Sequence, residues 1–178
     1  NFAADPGWTT AVTAPDDAGC STHKYVNDFH WCALCGNAGG GYGAWVGNAA
    51  FGTTGQNYTS PWNSSTLYSP VFVAGGASVS MQFRVGYRTE SSFDGGIVQY
   101  QLGSGAWTTL PFVTPAQTAT TTATCNPILG ATPAWTGLGA LSTLTTASAV
   151  STTNGQKIGF RWRLGADSAV NGTTYGGF

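Results

Sequence analysis

Few residues in this 178-residue chain could do chemistry, and they fall into three groups. The first is acidic. Only seven carboxylates exist, and Glu90 and Asp94 form the one close pair besides Asp16-Asp17. Two carboxylates four positions apart across a strand-to-turn corner could converge as a glycosidase pair does. The plainer alternative is that Asp94 caps the turn while Glu90 meets Arg84, Arg88 or an ion. Hard cations are held by carboxylates and backbone carbonyls, so Glu90 and Asp94, joined by Asp5 or Asp167 from a neighbouring strand end, are candidate calcium ligands. No other cofactor is implied. No Gly-x-Ser-x-Gly elbow and no His-Glu-x-x-His helix occurs. The expectation is a protein without catalytic activity.

The second group is sulfur and imidazole. Cys20-x-x-His23 and Cys32-x-x-Cys35, with His30 between them, have zinc-like spacing. The cysteines Cys20, Cys32, Cys35 and Cys125 are an even set in a chain rich in Gly, Thr and Ser, which favours two disulfides over metal or free thiols. Three pairings are open, with a lean toward a bond from the Cys32/Cys35 loop to Cys125. Closing so long a loop stabilises by about 4 kcal/mol in a chain-entropy picture. A redox Cys-x-x-Cys lacks its βαβ setting.

The third group is aromatic. Trp31, Tyr58, Trp62 and Trp135 fall outside strand-like patterns. Exposed, they would stack on sugar rings; otherwise they fill a core beneath long loops. Asn57, Asn63 and Asn171 head glycosylation sequons, which are also turn sequences.

Alternation fixes the elements that must carry these groups. Val79, Met81, Phe83, Val85 and Tyr87 alternate with Ser80, Gln82, Arg84, Gly86 and Arg88, the period of a half-buried strand. Asp94-Gly95-Gly96 suits a turn. Val98, Tyr100 and Leu102 then alternate with Gln99 and Gln101, and Gly103-Ser104-Gly105 leads to a strand from Trp107 to Leu110. These three strands are expected to form a meander. Ile158, Phe160, Trp162 and Leu164 alternate with Lys157, Gly159, Arg161 and Arg163. Further strands are expected at Trp8–Val12, Tyr42–Val46 and Leu67–Val73, the last an edge or bulged strand because Pro70 lacks a ladder donor. Residues 15–41 and 111–137 read as long loops, the second Thr-rich. The expectation is one all-β domain, a two-sheet antiparallel sandwich of jelly-roll type with disulfide-tied loops.

Composition narrows the partners. Hydrophobic residues make up 42% of the chain and charged residues only 7%, with a net charge of -1. A scattered handful of cations argues against nucleic acid, which needs a basic face. No apolar run is long enough for a membrane span. A chain that opens on Asn1 with these cysteines is expected to be a mature secreted protein at the cell surface or outside the cell.

Taken in order, the motifs resemble the MAM-like or jelly-roll accessory domain of secreted bacterial proteins, as found beside immune-inhibitor-A-type metalloproteases. The likeness runs through Asn1-Phe2, Asp5-Pro6-Gly7-Trp8-Thr9, Tyr42-Gly43-Ala44-Trp45 and Leu67-Tyr68-Ser69-Pro70-Val71. It continues through Glu90 with Phe93-Asp94-Gly95-Gly96-Ile97-Val98, then Cys125-Asn126-Pro127 to Pro133-Ala134-Trp135-Thr136-Gly137, and Phe160-Arg161-Trp162-Arg163-Leu164-Gly165 to Asp167-Ser168. It implies a β-sandwich with a non-catalytic role in attachment, substrate contact or assembly. The chain departs from that family in a longer cysteine loop at 20–35. It also departs after Asn171, where the family's last strand is absent or degenerate. A sandwich short of a strand invites donor-strand exchange between copies. In that reading residues 1–14 are the donor, anchored by Phe2 and Trp8, and the product is a head-to-tail filament. The second function reading is a carbohydrate- or substrate-binding accessory module of a larger secreted protein.

Overall fold

The computed structural model describes residues 7–12, 29–32, 43–46, 64–114, 126–128, 134–139 and 144–167. These contain strands and no helix, so no helix among them is long and apolar enough to cross a membrane. The strands are β1 (Thr9–Val12), β2 (Phe29–Cys32), β3 (Gly43–Val46), β4 (Ser64–Tyr68) and β5 (Phe72–Val73). Then come β6 (Ser78–Val79), β7 (Gln82–Arg84), β8 (Tyr87–Arg88), β9 (Gly95–Leu102) and β10 (Thr108–Thr109). The last are β11 (Phe112–Thr114), β12 (Leu138–Gly139), β13 (Leu144–Ala147), β14 (Val150–Ser151) and β15 (Lys157–Gly165).

The largest sheet runs β1-β4-β15-β9-β10, with β5 also on β15. All its pairings are antiparallel. β15 is its spine because its sequence alternates without a break. Ile158, Phe160, Trp162 and Leu164 are buried, and they meet Val98 and Leu67 on the same face. The outward set departs from the expected pattern at Arg163, which is buried and donates from Nη2 to the Pro127 carbonyl at 2.9 Å.

The alternation from Val79 to Tyr87 also holds: Val85 and Tyr87 are buried, and Val79, Met81 and Phe83 pack on the core. Its strand is broken into β6, β7 and β8, which pair with β14, β13 and β12. The expected meander is therefore corrected. Only β9 and β10 are hairpin neighbours, and β6–β8 lie in other ladders. Alternation tells which side chains go in; it says nothing about which strand lies alongside. Phe83 of β7 meets Trp162 of β15 edge-on at 5.6 Å, and Phe112 and Trp135 at 5.1 and 6.0 Å. The core thus lies between the large sheet and the smaller ladders, a sandwich-like arrangement.

Both long loops contain strands. β2, inside 15–41, pairs with β3 and buries Phe29 in the core. β11, inside 111–137, pairs with β13. Each is too short to show a period in sequence.

The expected irregularity at Pro70 is a bulge. Tyr68 pairs with Arg161 and Phe72 with Ile158, so four steps on one strand face three on the other. At the join, Ser69 N–H donates to the Phe160 carbonyl at 2.9 Å, and Phe160 N–H donates to Ser69 Oγ at 3.0 Å. The hydroxyl takes over an acceptor role in the ladder just before the proline, which has no N–H to donate.

Residues 9–12 close the edge of their own sheet. β1 pairs with β4 from Thr9↔Tyr68 to Val12↔Ser65, and Trp8 packs on Trp162 at 4.8 Å. Phe2 and residues 168–178 are outside the described residues.

Candidate metal centre

The register of the two longest strands makes one end of the large sheet chemically distinct. Gly95, the first residue of β9, stands opposite Gly165, the last of β15. Asp94 precedes the one and Asp167 follows the other, so both carboxylates emerge at the same end. Asp167 N–H donates to Asp94 Oδ1 at 2.9 Å and fixes their approach. Both residues are buried.

Glu90 is brought back to them by a turn. Asp94 N–H and Phe93 N–H donate to the Glu90 carbonyl at 3.0 and 3.3 Å. The positive φ in this turn falls on Ser92, at 69°, and not on Gly95 or Gly96, which already belong to β9. Two threonines tie the turn to residues 134–137. Thr136 Oγ1 accepts from Ser92 N–H at 2.7 Å and donates to the Glu90 carbonyl at 3.0 Å. Thr89 Oγ1 accepts from Gly137 N–H at 3.0 Å and donates to the Asp94 carbonyl at 3.3 Å. Each hydroxyl is used in both senses, so neither can be lost without stranding a partner.

Asn126 locks the other side. Its side-chain amide donates to the Phe93 and Gly165 carbonyls at 2.5 and 3.2 Å, and its Oδ1 accepts from Ile128 N–H at 2.8 Å. The fit leaves no room for a side chain at Gly165. A Cβ there would collide with Asn126 Oδ1 and lie 2.9 Å from Ile128 Cγ1. Asn126 is only 2% exposed. Sequence reasoning missed its role; the Asn-Pro step that could have flagged it is also an ordinary turn signal.

Carboxylate oxygens of Glu90, Asp94 and Asp167 all lie within 4.8 Å of one another. Calcium–oxygen distances of about 2.3–2.6 Å place two ligands on one ion up to about 5 Å apart, so the spacing fits. Glu90 Oε2 is shut off from solvent and has no hydrogen-bond partner. Burial first, and the Asp167 carboxylate second, push the Glu90 carboxyl above its ordinary value. A buried carboxylate oxygen with no partner calls for a neutralising proton or cation. The donor set is all oxygen, which suits a hard cation.

The remaining candidates are placed as follows. Asp5, Cys20, Cys35, Cys125, Tyr58, Trp62, Asn57, Asn63 and Asn171 lie outside the described residues. Trp31 and Cys32 are on β2. Trp135 is corrected: it is 0% exposed and packs on Phe83, Phe112 and Tyr87, with centroids 6.0, 4.9 and 6.5 Å away. Its backbone exchanges two 2.9 Å hydrogen bonds with Gly96. It is a core residue and offers no face to a sugar.

Compared with known proteins, the chain matches no family model, no curated protein and no solved structure.

Proposed function

We propose that this chain is a non-catalytic extracellular structural module, a self-associating subunit stiffened at one end by calcium. In this reading it is a MAM-like jelly-roll sandwich with disulfide-tied loops, exported from the cell and working by contact. The observation that carries it is the convergence of Glu90, Asp94 and Asp167 around an orphaned carboxylate oxygen. Three carboxylates meeting at one point serve a cation better than they serve acid–base catalysis. A glycosidase pair leaves its two carboxyls separate access to the two faces of a bond. Here Asp94 is buried and already accepts the Asp167 backbone N–H, which favours a fixed structural ligand.

Calcium would be held by these three side chains and would supply charge neutralisation, joining the start of β9 to the end of β15. The test is calorimetric titration of the chelated protein with calcium, beside magnesium. Heat of binding lost in Glu90→Gln supports the reading, and no binding at millimolar calcium sinks it. The low charge of the chain supports contact between like molecules, because little repulsion opposes it.

A second reading, a carbohydrate-binding module, is favoured by the outer face of the large sheet. Trp107 meets Tyr68 edge-on at 5.7 Å, and the Arg161 guanidinium lies 4.4 Å over the Trp107 ring. Arg161 Nε donates to Gln99 Oε1 at 2.7 Å. Aromatic and amide groups held together on a sheet face suit a neutral glycan. Glycan-array retention that disappears in Trp107→Ala would favour this reading over the first.

A further inference from the structure

We infer that the edge of β5 is the self-association surface, pairing antiparallel with the β5 edge of a second copy about a two-fold axis through Val73. The inference rests on the reading of the chain as a self-associating subunit. It moves the contact away from residues 1–14, because β1 already occupies the β4 edge of its own sheet.

Three observations carry it. The first is the ladder. Ala74 N–H donates to the Gln156 carbonyl at 2.8 Å, and the Ala74 carbonyl accepts from Gly155 N–H at 2.8 Å. Ala74 therefore turns its backbone groups toward its own fold. Successive residues of a strand point those groups to opposite sides, so Val73 turns its N–H and C=O away from β15. β15 is the only strand paired with β5 among the described residues. β1 begins opposite Tyr68, where the Pro70 bulge begins, and no described residue of β1 pairs with β5.

The second is exposure. Val71, Phe72 and Val73 are 66%, 48% and 66% exposed, three consecutive large apolar side chains on an edge. Proteins that stay apart usually guard such an edge with charge. No Lys, Arg, Asp or Glu occurs anywhere from Phe29 to Phe83.

The third is what a two-fold pairing does with charge. Among the described residues the cation that stands opposite β5 is Lys157, paired with Val73 and one strand in. Pairing two β5 edges places the two lysines three strand spacings apart, about 14 Å. That exceeds the Debye length of about 8 Å at physiological salt, so the repulsion is screened. An edge without charge and with paired donor and acceptor at one residue is self-complementary. Val73 faces its own copy with two reciprocal hydrogen bonds, and Val71 faces Gly75, which is open on its outer side.

The contact joins two large sheets into one and closes on itself, so the product is a dimer and not a filament. A short strand pair is a small interface, and association is weak and concentration-dependent.

The test is sedimentation velocity on the full chain across a concentration series. Val73→Pro removes only the outward donor and leaves the ladder to β15 intact. Val73→Lys places a charge on the axis and keeps the backbone. Val12→Lys alters an exposed residue on β1 and serves as the control. The expected result is a wild-type dimer of twice 18.3 kDa, with the midpoint raised by at least about tenfold in both Val73 variants and unchanged in Val12→Lys. Wild type that associates equally well with Val73→Pro and Val73→Lys overturns the β5 edge and leaves the self-association reading standing. Loss in Val12→Lys alone assigns the contact to β1 and also overturns it. A monomer at every concentration overturns both.

Discussion

Asp167 N–H and Asp94 Oδ1 are 2.9 Å apart, and this bond carries the pairing of β15 and β9 one step beyond Gly165 and Gly95. It spends one carboxylate oxygen of Asp94 on the backbone. Asp94→Ala is expected to lose that bond and strand a buried N–H, at about 1–3 kcal/mol. Chemical denaturation in chelator measures this cost separately from any metal effect.

Calcium is expected to raise the melting temperature. At about a hundred times its dissociation constant a ligand stabilises by about 2.7 kcal/mol, roughly 5–10 °C for a domain of this size. Differential scanning calorimetry with calcium and with chelator checks it. An identical melting temperature in both would rule out the centre.

Metal-free protein has a pH dependence with a definite sign. The Glu90 carboxyl is raised by burial and by Asp167. The folded state therefore holds the proton more tightly than the unfolded chain. Stability from this group is full below its ordinary value of 4.5 and is lost as pH rises through the raised folded value. Glu90→Gln is expected to flatten that decline in chelator while abolishing the calcium response. Melting curves between pH 4 and pH 8 distinguish the two, and a decline unchanged in the variant would assign it to another group.

Trp135→Ala is expected to destabilise by about 3–5 kcal/mol, since the ring is fully buried among Phe83, Phe112 and Tyr87. Any glycan retention should fall in proportion to the folded fraction. Retention lost by a fully folded variant would contradict the core assignment.

Ser69→Ala removes the oxygen that accepts from Phe160 N–H at the bulge. The expected cost is about 1 kcal/mol, with Ser69→Thr less harmful. Hydrogen exchange at the Phe160 amide reads the effect directly.

The two best-alternating stretches, Val79–Tyr87 and Ile158–Leu164, were legible because burial alternates locally along a strand. Their neighbours were not, because pairing depends on residues far away in sequence. Asp94 and Asp167 could be read as strand-end carboxylates since each flanks a clear apolar strand. Trp135 could not be told from an exposed aromatic: it is buried through an isolated bridge to Gly96, where no period exists to reveal it. Arg163 misled for a related reason. The outward face is normally solvated, but at this end residues 126–128 cover it and Pro127 supplies the partner.

The central place of β15 carries a kinetic consequence. It is flanked by β4 and β5 on one side and β9 on the other, all made earlier during synthesis. The large sheet cannot assemble until residues 157–165 have left the ribosome. Until then the strands made earlier lack the partner that orders them, and their unpaired edges are open to misassembly. High contact order of this kind also slows refolding in isolation.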